Sequence, residues 1–594
     1  MKKGQICEGE VYRYTFPNKG YVKIEDRDIC VKGALLGQQV RFSVKRLKKG
    51  AGEGRLLEVL EKSYLEDAEP DCPHFGMCGG CAYQTLSYEN QLQLKGEQVK
   101  SILSNAILTV DNNVDNVDNV DNWWGGIKQS PVACAYRNKM EYSFGDEYKD
   151  GPLALGMHRK GGFHDIVTVD KCTIVDDDYN KIIRMIRDFY EEKGVPFYKK
   201  MQHVGVLRHL VVRQSASNKD ILVNLVTTTR DDLSVGNVNK EVEYSKDYIV
   251  AKQTELSEKL SLDELCEKLL TIDLNGKITG ILHTWNDSLS DAVVPQNVIT
   301  LYGRDYIYEE ILGLKFKISP FSFFQTNTRS AEVLYETARE FVMSMGAMAK
   351  ASEKSDSCDK VIFDLYSGTG TIAQMMAPVA KKVVGVEIVA EAVEAAKENA
   401  ELNNLDNCEF IAGDVLKVLD SIEEKPDIII LDPPRDGCNP KALDKIINYG
   451  VPEMVYISCK PTSLARDLEM LQKRGYRVVR ACAVDQFPGT LHVETVCLLS
   501  QRKPDTTIEV DLDISELEVS SAETKATYEE IKSYVLKKYG LKVSNLYIAQ
   551  VKRECGIVER INYNLPKTEG NRVPQCPEDK RKAIKDAFIH FQMI

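Results

Sequence analysis

The feature that most restricts the fold of this chain is an alternation of short apolar runs with helix-like stretches in its second half. The apolar runs are predicted strands at 360–365, 382–387, 408–411 and 427–432. Strands that alternate with helices form parallel sheets covered on both faces, because joining two parallel strands requires a crossover about as long as a helix. We therefore expect a Rossmann-like, doubly wound α/β domain over residues 321–503.

A glycine-containing loop, Asp-Leu-Tyr-Ser-Gly-Thr-Gly-Thr at 364–371, follows the first of these strands and opens a helix. Glycines there let the backbone approach a ligand closely. Glu387 ends the second strand, 19 residues after Gly368, where a carboxylate can hold ribose hydroxyls. Asp414 follows the third strand and is placed to meet an adenine amino group. The loop lacks both the third glycine of a dinucleotide fingerprint and the lysine of a phosphate-binding loop, so it favours S-adenosylmethionine.

A further carboxylate lies at the same predicted edge of the sheet. Asp432 ends the fourth strand and is followed by two prolines, at the edge where open α/β sheets bind ligands. Methyltransferases that act on exocyclic amines usually place an aromatic residue after the two prolines, to stack the base. This chain has Arg435 there, which weakens amine chemistry and leaves methylation of a ring carbon open.

A cysteine and a glutamate downstream supply the groups that ring-carbon chemistry requires. Cys459 follows a predicted strand at 454–457, and Glu494 lies 35 residues later. Uracil C5 is a poor nucleophile, but a thiolate added to C6 would make C5 reactive toward a methyl sulfonium. That reaction needs thiolate character, which Lys460 could promote, and a carboxylate that removes the C5 proton. A lone cysteine is more often a small buried hydrophobe, so Cys459 by itself does not establish catalysis.

The amino terminus, residues 1–63, has the pattern of a small β-barrel. Its predicted short strands lie at 8–14, 20–24, 29–31, 39–45 and 56–60, separated by glycine turns. Five short strands of this kind are typical of an OB-like barrel, which often holds single-stranded nucleic acid. The segment carries 14 Lys and Arg against 8 Asp and Glu, in agreement with a polyanionic partner.

A cysteine cluster follows the barrel. Cys72, Cys78 and Cys81 are closely spaced, and Cys172 is the candidate for a fourth ligand. Four thiolates suit structural zinc or an iron–sulfur cluster, and the spacing does not distinguish the two. His74 could be a ligand, but its closeness to Cys72 makes simultaneous binding awkward.

Residues 64–320 as a whole are predicted to form a mixed α+β central domain. The predicted helices lie at about 86–105, 178–193 and 253–270, and the clearest strands at 220–226, 278–282 and 314–318. Within this domain, residues 111–122 repeat Asp, Asn and Val with a period of three. Too few apolar side chains occur there to build a core, so the stretch is predicted to be a disordered surface insertion.

The end of the chain departs from this pattern. Residues 504–524 form a predicted acidic linker, with seven Asp and Glu and no Lys or Arg over 505–524. Residues 525–594 carry 14 basic and 8 acidic side chains, with helical patterns at 527–540 and 541–554. Two helices around a glycine turn are typical of a helix-turn-helix, which can read bases or clamp RNA. A protein-docking or stabilising role explains this basic helical extension equally well.

Length and charge limit the class of protein. A chain of 594 residues is too long for one core, so several domains are expected. The formal net charge of −12 argues against general nucleic-acid binding but says nothing against local basic patches. No apolar run is long enough for a membrane helix, and the first residues lack the apolar core of a signal peptide. We therefore expect a cytoplasmic protein without a membrane partner.

Five segments together resemble the RNA 5-methyluridine (uracil-C5) methyltransferase family, in particular its 23S ribosomal RNA branch. The segments lie at 319–327, 364–370, 431–435, 456–459 and 488–494. The resemblance implies S-adenosylmethionine-dependent methylation of C5 of a uridine in 23S ribosomal RNA, with Cys459 as the nucleophile and Glu494 as the proton acceptor. RNA is the expected partner, and binding to DNA is not expected.

The resemblance also implies a set of cofactor contacts and two RNA-related modules. The cofactor contacts are Gln325, Tyr366, Thr371, Glu387, Asp414 and Asp432. Thr371 stands where some family members have asparagine, which makes that contact less secure. The amino-terminal barrel resembles a TRAM domain, and the cysteine spacing resembles the four-cysteine [4Fe–4S] cluster of ribosomal members. Four cysteine ligands favour a structural role for such a cluster.

Three alternatives remain at this stage. A tRNA uracil-C5 methyltransferase of the same family would use the same chemistry, although the barrel and the cysteines favour ribosomal RNA. Cytosine-C5 methylation also uses a cysteine, but Glu494 and the sequence Asp432-Pro-Pro-Arg435 favour uracil. A non-catalytic iron–sulfur RNA-binding protein would need none of the catalytic groups.

Overall fold

The computed structural model describes residues 1–48, 50–108, 123–162, 165–231, 245–349, 359–501, 528–555, 576–591 and 593. The chain divides into two compact units, Met1–Lys503 and Pro504–Ile594. The predicted disordered insertion at 111–122 and the predicted linker at 504–524 lie outside the described residues. Among the helices of the described ranges, none has the length and apolar character that crossing a membrane requires.

The amino terminus forms the predicted closed barrel of five strands. They are β1 (Ile6–Thr15), β2 (Lys19–Ile24), β3 (Arg27–Lys32), β4 (Gln39–Lys48) and β5 (Ala51–Glu61), in the order β1-β2-β3-β5-β4. Side chains alternate between core and solvent along the strands, as a barrel wall requires. A Cβ on Gly54 would lie 2.6 Å from Phe42 Cδ2 in the core, so glycine there lets β5 pack closely.

The described residues between 64 and 320 contribute four helices and ten strands. The helices are α1 (Tyr88–Leu108), α2 (Asp177–Lys193), α3 (Lys246–Leu260) and α4 (Leu262–Thr271). The strands are β6 (Trp124–Lys128), β7 (Lys139–Asp146), β8 (Leu153–His158), β9 (Ile166–Thr168), β10 (Leu207–Gln214), β11 (Asp220–Thr227), β12 (Lys277–Trp285), β13 (Asn297–Gly303), β14 (Ile307–Ile311) and β15 (Leu314–Ile318). Seven of them form a sheet in the order β13-β12-β11-β10-β7-β8-β9, and β14 pairs with β15 as a hairpin.

The predicted helix at 253–270 is instead the pair α3 and α4. Ser261 separates them with a φ of 50°, a left-handed conformation that ends one helix and starts the next. Leu260 and Leu262 are both buried but only two residues apart, so the helical spacing of the apolar residues is interrupted there. The sequence Ser261-Leu-Asp-Glu264 is also a pattern typical of a helix start, so the break has a local signal that the prediction of one helix missed.

The second half of the first unit contains the predicted doubly wound sheet. Its helices are α5 (Thr328–Ala349), α6 (Thr371–Met376), α7 (Ala390–Leu402), α8 (Val415–Val418), α9 (Pro440–Asn448) and α10 (Pro461–Lys473), with a 3₁₀ turn at Ala377–Val379. Its strands are β16 (Val361–Leu365), β17 (Lys382–Glu387), β18 (Cys408–Ala412), β19 (Ile428–Leu431), β20 (Glu453–Ser458), β21 (Tyr476–Val484) and β22 (Glu494–Gln501). The order is β18-β17-β16-β19-β20-β22-β21-β6, with β16 to β20 parallel.

This sheet draws on both predicted domains. Strand β6, from the predicted central domain, pairs in parallel with β21 at the edge of the sheet, with Ala481 opposite Trp124. Helix α1 packs beside α10, and Gln472 Nε2 donates a hydrogen bond to the backbone oxygen of Ala106 (3.2 Å). The division at residues 320 and 321 stays a prediction, since segments before it build part of the sheet that follows it.

The second unit has its own apolar core within its described residues. Three helices supply it, α11 (Tyr528–Tyr539), α12 (Asn545–Glu554) and α13 (Glu578–His590). Helix α11 is followed by Gly540, with a φ of 66°, and the Ser544 side chain caps α12, so the predicted pair of helices around a glycine turn is present. The second predicted helix starts at Asn545 and not at Leu541, because the intervening residues form the turn.

Candidate active site

The loop between β16 and α6 turns through left-handed backbone conformations. Tyr366, Gly368 and Gly370 have φ of 70°, 54° and 72°. Gly370 is also sterically required, since an added Cβ would lie 2.6 Å from Phe410 Cε1. Because glycine carries no side chain, this loop exposes its backbone to the space in front of the sheet, where a ligand can approach it.

Glu387 ends the neighbouring strand β17 and faces this loop. Its carboxylate accepts hydrogen bonds from the backbone N–H of Gly368 (3.0 Å) and of Val389 (2.9 Å). Beside it, Ile388 and Val389 expose 68% and 49% of their surface, which is unusual for large apolar side chains. A carboxylate beside exposed apolar side chains matches the ribose hydroxyls and adenine ring of S-adenosylmethionine. The residues present therefore fit that cofactor.

A cavity of about 1500 Å³ opens in front of this edge of the sheet. Its wall includes six of the residues singled out from the sequence, Cys459, Glu494, Gln325, Tyr366, Glu387 and Asp432. They come from β16, β17, β19, β20, β22 and the segment before α5, so residues more than a hundred positions apart in the sequence meet in one space. This agrees with the rule that open α/β sheets bind ligands at the carboxyl ends of their strands.

Two predicted cofactor contacts lie outside the cavity wall. Thr371 is buried at the start of α6, with its hydroxyl 3.5 Å from that of Thr369, which does line the cavity. The Asp414 carboxylate caps α8 by accepting a hydrogen bond from the backbone N–H of Leu416 (2.9 Å). Both side chains have structural partners here, and their contact with a cofactor stays a prediction.

Strand pairing brings Cys459 and Glu494 together. Strands β20 and β22 are antiparallel, and Ser458 lies opposite Thr495 at the end of the ladder. Cys459 follows Ser458, and Glu494 precedes Thr495. The register therefore places these two residues side by side, at the carboxyl end of β20. Their separation of 35 residues is the length of α10, β21 and the loop that returns the chain.

Burial makes the carboxyl groups of this edge weak acids. It raises the pKa of Asp432 to about 7. The pKa of Glu494 is raised well above its ordinary value, by burial and then by the neighbouring Asp432, with Arg435 opposing the shift. The pKa of Asp364 rises to about 8, for the same two reasons. Carboxyl groups with such values can hold or release a proton near neutral pH.

The Cys459 thiol shares this environment. Burial, and then Glu494 and Asp432, raise its pKa to about 11, with Arg435 opposing the shift. The predicted influence of Lys460 is not what the structure shows, because its ammonium group points to Asp436 Oδ1 at 3.7 Å. The cation that acts on the thiol is therefore Arg435, which sequence adjacency did not reveal.

Three further side chains of the wall were not assigned from the sequence. The His492 ring meets that of Phe487 edge to face, with centroids 6.0 Å apart, and burial and then Arg435 lower its pKa to about 4, so the ring is neutral. Phe323 exposes 69% of its surface into the same space, an arrangement suited to stacking on a planar ring. Arg137, from the segment before β7, adds a positive charge. His492 and Phe323 lie inside the segments that carry the family resemblance, whereas Arg137 lies outside them, and none of the three has a spacing pattern of its own.

The four predicted cluster cysteines are brought close to one another. Burial raises the pKa of Cys172 to about 12, and Cys72, Cys81 and Cys78 raise it further. All four thiols are free. His74 is otherwise engaged, since its Nε2 accepts a hydrogen bond from Lys171 N (3.2 Å). Among the described residues, no three His, Cys, Asp or Glu side chains are arranged as ligands of one metal ion.

The sequence is similar to those of known methyltransferases. Residues 303–502 match the family described as tRNA (Uracil-5-)-methyltransferase. An uncharacterized RNA methyltransferase of Caldanaerobacter subterraneus is 46% identical over 501 residues, which is 84% of this chain and 100% of the relative. One from Clostridium acetobutylicum is 44% identical over 503 residues, covering 85% of this chain and 99% of the relative.

A solved structure shares the fold. The Pyrococcus abyssi tRNA (uracil-54, C5)-methyltransferase in complex with S-adenosyl-L-homocysteine superposes with a TM-score of 0.57. It covers 83% of this chain and all of its own, at 24% sequence identity. At that identity the likeness concerns architecture, and the chemistry has to be argued from the residues of this chain.

Proposed function

This chain belongs to the S-adenosylmethionine-dependent RNA uracil-5-methyltransferase family, and from that premise we propose that it methylates C5 of a specific uridine in 23S ribosomal RNA. The observation that carries the proposal is that the glycine loop before α6, Cys459 and the buried Glu494 all line the same cavity. We further propose the roles that follow for individual residues.

Cys459 is the nucleophile. Its thiol loses a proton to solvent and its sulfur bonds to C6 of the uracil, so that the C5–C6 electron pair makes C5 nucleophilic. Bound S-adenosylmethionine supplies an electrophilic methyl group, which C5 takes up. Glu494 then removes the C5 proton, the C5–C6 double bond re-forms, and the C6–S bond breaks with its electrons returning to Cys459.

The raised pKa values favour the protonated thiol of Cys459 and the protonated carboxyl of Glu494 in the ligand-free cavity, so each group must lose a proton before it acts. Cys459 is a thiol at neutral pH in the ligand-free cavity, because its pKa is raised to about 11. A cationic sulfonium near the thiol would favour the thiolate, since a positive charge stabilises the charged form of an acid. The same charge would lower the pKa of Asp432 and of Glu494. Thiol activation would therefore depend on the donor being in place.

We propose that Gln325, Tyr366, Thr371, Glu387, Asp414 and Asp432 form the cofactor site. Glu387 is supported by its position beside the exposed Ile388. Gln325 and Asp432 open on the same cavity, whereas Thr371 and Asp414 would act from behind the wall. Phe323 is available to stack on the substrate base.

Residues 1–63 and the cysteines support ribosomal RNA as the substrate. The barrel with its basic excess suits single-stranded RNA, and we propose that it acts as a TRAM domain. The proximity of Cys72, Cys78, Cys81 and Cys172 supports a [4Fe–4S] cluster, with zinc as the alternative, although the thiols are not in ligand geometry. Iron, sulfide and zinc analysis of protein purified without oxygen would separate these two groups.

A tRNA substrate is the second candidate, favoured by the description of the matching family. Mass-spectrometric mapping of 5-methyluridine in ribosomal and transfer RNA from a deletion strain decides between the two. We expect the deletion strain to lack one 5-methyluridine of its ribosomal RNA. If 5-methyluridine is lost only from transfer RNA, the substrate is transfer RNA and the proposal of ribosomal RNA is wrong. Replacing Cys459→Ala should abolish methylation in vitro, and residual activity would contradict the mechanism.

A further inference from the structure

The loop between β21 and β22 carries Glu494 at its end. It runs from Asp485 to Val493 without helix or strand. Two of its side chains, those of Phe487 and His492, line the cavity with Glu494. Within the loop, the N–H and hydroxyl of Thr490 donate to the Phe487 oxygen. Other backbone oxygens of the loop accept from outside, for example that of Pro488 from the Tyr136 hydroxyl (2.9 Å) and that of Gln486 from Asn327 Nδ2 (2.9 Å). The position of Glu494 therefore depends in part on what holds the loop from outside.

A buried lysine of α1 holds this loop. Lys95 is 3% exposed, and its Nζ donates hydrogen bonds to Asp485 Oδ1 (2.7 Å) and to the backbone oxygens of Phe487 (3.1 Å) and His492 (3.3 Å). The three acceptors span the loop from its first residue to the second residue before Glu494. An ammonium group has three N–H donors, so this set uses the full donor capacity of Lys95.

The same helix and the segment before it also fix the middle of the loop. Gln91, one turn before the lysine, accepts a hydrogen bond through Oε1 from the backbone N–H of Gly489 (2.8 Å). The backbone N–H groups of Ala82 and Tyr83 both donate to the Gly489 oxygen, at 2.8 and 3.0 Å. Gly489 thus has its donor and its acceptor satisfied from one side.

Stability alone does not explain a lysine at this place. A buried ion pair contributes little to stability relative to a well-packed apolar pair, because both charges lose their hydration. Lys95 and Asp485, at 0% exposure, are nevertheless both removed from solvent. What the ammonium group provides and an apolar side chain could not is three directed hydrogen bonds to one loop.

We propose that Lys95 is a positioning residue that fixes the 485–493 loop, and with it the Glu494 carboxyl, for removal of the C5 proton. The proposal rests on the function proposed above. Cys459 directly follows β20 and lies outside this loop, so bond formation at C6 and methyl uptake at C5 continue without Lys95. Only the last step, in which the proton goes to Glu494 and the C6–S electrons return to Cys459, needs the loop in place.

The test separates the two halves of the reaction. With RNA and S-adenosylmethionine, denaturing electrophoresis measures the covalent RNA–protein adduct, and rapid quenching measures release of methylated RNA. In the variant Lys95→Met we expect release to slow by about tenfold to a hundredfold, the range expected for a misplacement of about 1 Å. The methylated adduct should accumulate, with the KM for RNA unchanged.

A second variant keeps the test valid if Lys95→Met does not fold. In Lys95→Met/Asp485→Asn no buried charge is left unpaired, so folding is expected. The His492 oxygen still loses its donor, and the Phe487 oxygen keeps only the two donors that Thr490 supplies. The matched control is Lys360→Met, which removes a partly buried ion pair with Glu453 (3.3 Å) at the opposite edge of the same sheet. Its release rate should equal that of the wild type.

The outcomes distinguish this inference from the function on which it rests. If the wild type forms no 5-methyluridine, the proposed function fails. If the wild type is active and the double variant releases product at the wild-type rate without adduct, Lys95 does not position the base. A loss of adduct and product together in the folded double variant would also overturn the proposal, because the loop would then serve the earlier steps.

Discussion

At the scale of single residues, the active-site candidates are defined by shared burial. Asp364, Asp432 and Glu494 are carboxyl groups whose pKa is raised by burial, and Cys459 is a thiol whose pKa is raised for the same reason. Such groups are costly in a protein core unless they serve a purpose, and Asp432, Glu494 and Cys459 here line one cavity. Arg435 is the cation that offsets part of this cost.

The role of Glu494 leads to the first prediction. Glu494→Gln removes the proton acceptor while keeping the size of the side chain, so methyl transfer proceeds but the C5 proton stays. We expect a stable RNA–protein adduct through Cys459 and a loss of turnover on the order of a hundredfold or more. Mass spectrometry of the digested adduct should find a methylated uridine on the Cys459 peptide. The double variant Cys459→Ala/Glu494→Gln is the control and should give no adduct.

The raised pKa of the thiol leads to the second prediction. Because the pKa of Cys459 is about 11, the neutral thiol is favoured below that pH. The thiolate fraction of the ligand-free protein therefore rises by about tenfold per pH unit through neutral and mildly alkaline pH. Alkylation of Cys459 by iodoacetamide, followed by peptide mapping, should accelerate accordingly. Arg435→Ala removes the charge that lowers this pKa and should slow the reaction. A rate that is already constant near neutral pH would contradict the environment described here.

The sequence identified Cys459, Glu494, Glu387 and Asp432 because each ends or begins a strand, and strand ends meet at one edge of a parallel sheet. It did not identify His492 or the influence of Arg435, because their effect depends on side-chain direction and burial. Lys460 is the opposite case, adjacent in sequence but turned away from the thiol. Neighbourhood along the chain is a poor guide to electrostatics within a strand-end turn.

At the scale of elements, the glycine loop before α6 gives the third prediction. Gly370→Ala combines a left-handed backbone with a Cβ placed 2.6 Å from Phe410 Cε1. We expect a destabilisation of about 1–2 kcal/mol from the backbone and about 1–3 kcal/mol from overpacking. Cofactor binding measured by calorimetry should weaken together with the denaturation midpoint.

A glycine in a hairpin provides the matched control for this substitution. Gly313, between β14 and β15, has a φ of 80° and no heavy atom within 4 Å of an added Cβ. Gly313→Ala should therefore show the backbone cost alone, with normal cofactor binding. Equal effects of the two substitutions would mean that the contact with Phe410 is relieved by a shift of its ring.

Elements were predictable where their periodicity was local. The five barrel strands and the four parallel strands first recognised in the sequence lie where alternation and apolar runs placed them. The pairing of β6 with β21 was not predictable, because it joins residues more than three hundred positions apart. The break at Ser261 was missed although the two-residue spacing of Leu260 and Leu262 marks it locally. The composition of a short strand does not indicate which distant strand it pairs with.

At the scale of the whole molecule, the site and the extension belong to different units. The cavity, the loop at 485–493 and α1 all lie within Met1–Lys503, and the described helices of the second unit form a separate apolar core. The Caldanaerobacter relative is matched over its full length by 84% of this chain. The residues that line the cavity therefore all belong to the unit that ends at Lys503.

This boundary gives the last prediction. A chain that ends at Lys503 should fold, with an unchanged denaturation midpoint for the first unit, and should methylate saturating RNA at the rate of the full chain. The comparison is made between the truncated and full-length proteins, with circular dichroism to verify folding and a radiolabelled methyl donor to measure turnover. If the truncated protein is folded but inactive, residues beyond 503 must contribute to the cavity or to the conformation of RNA bound in it. Because 525–594 is basic within an acidic chain, RNA affinity at low salt should be compared as well, and we expect it to fall.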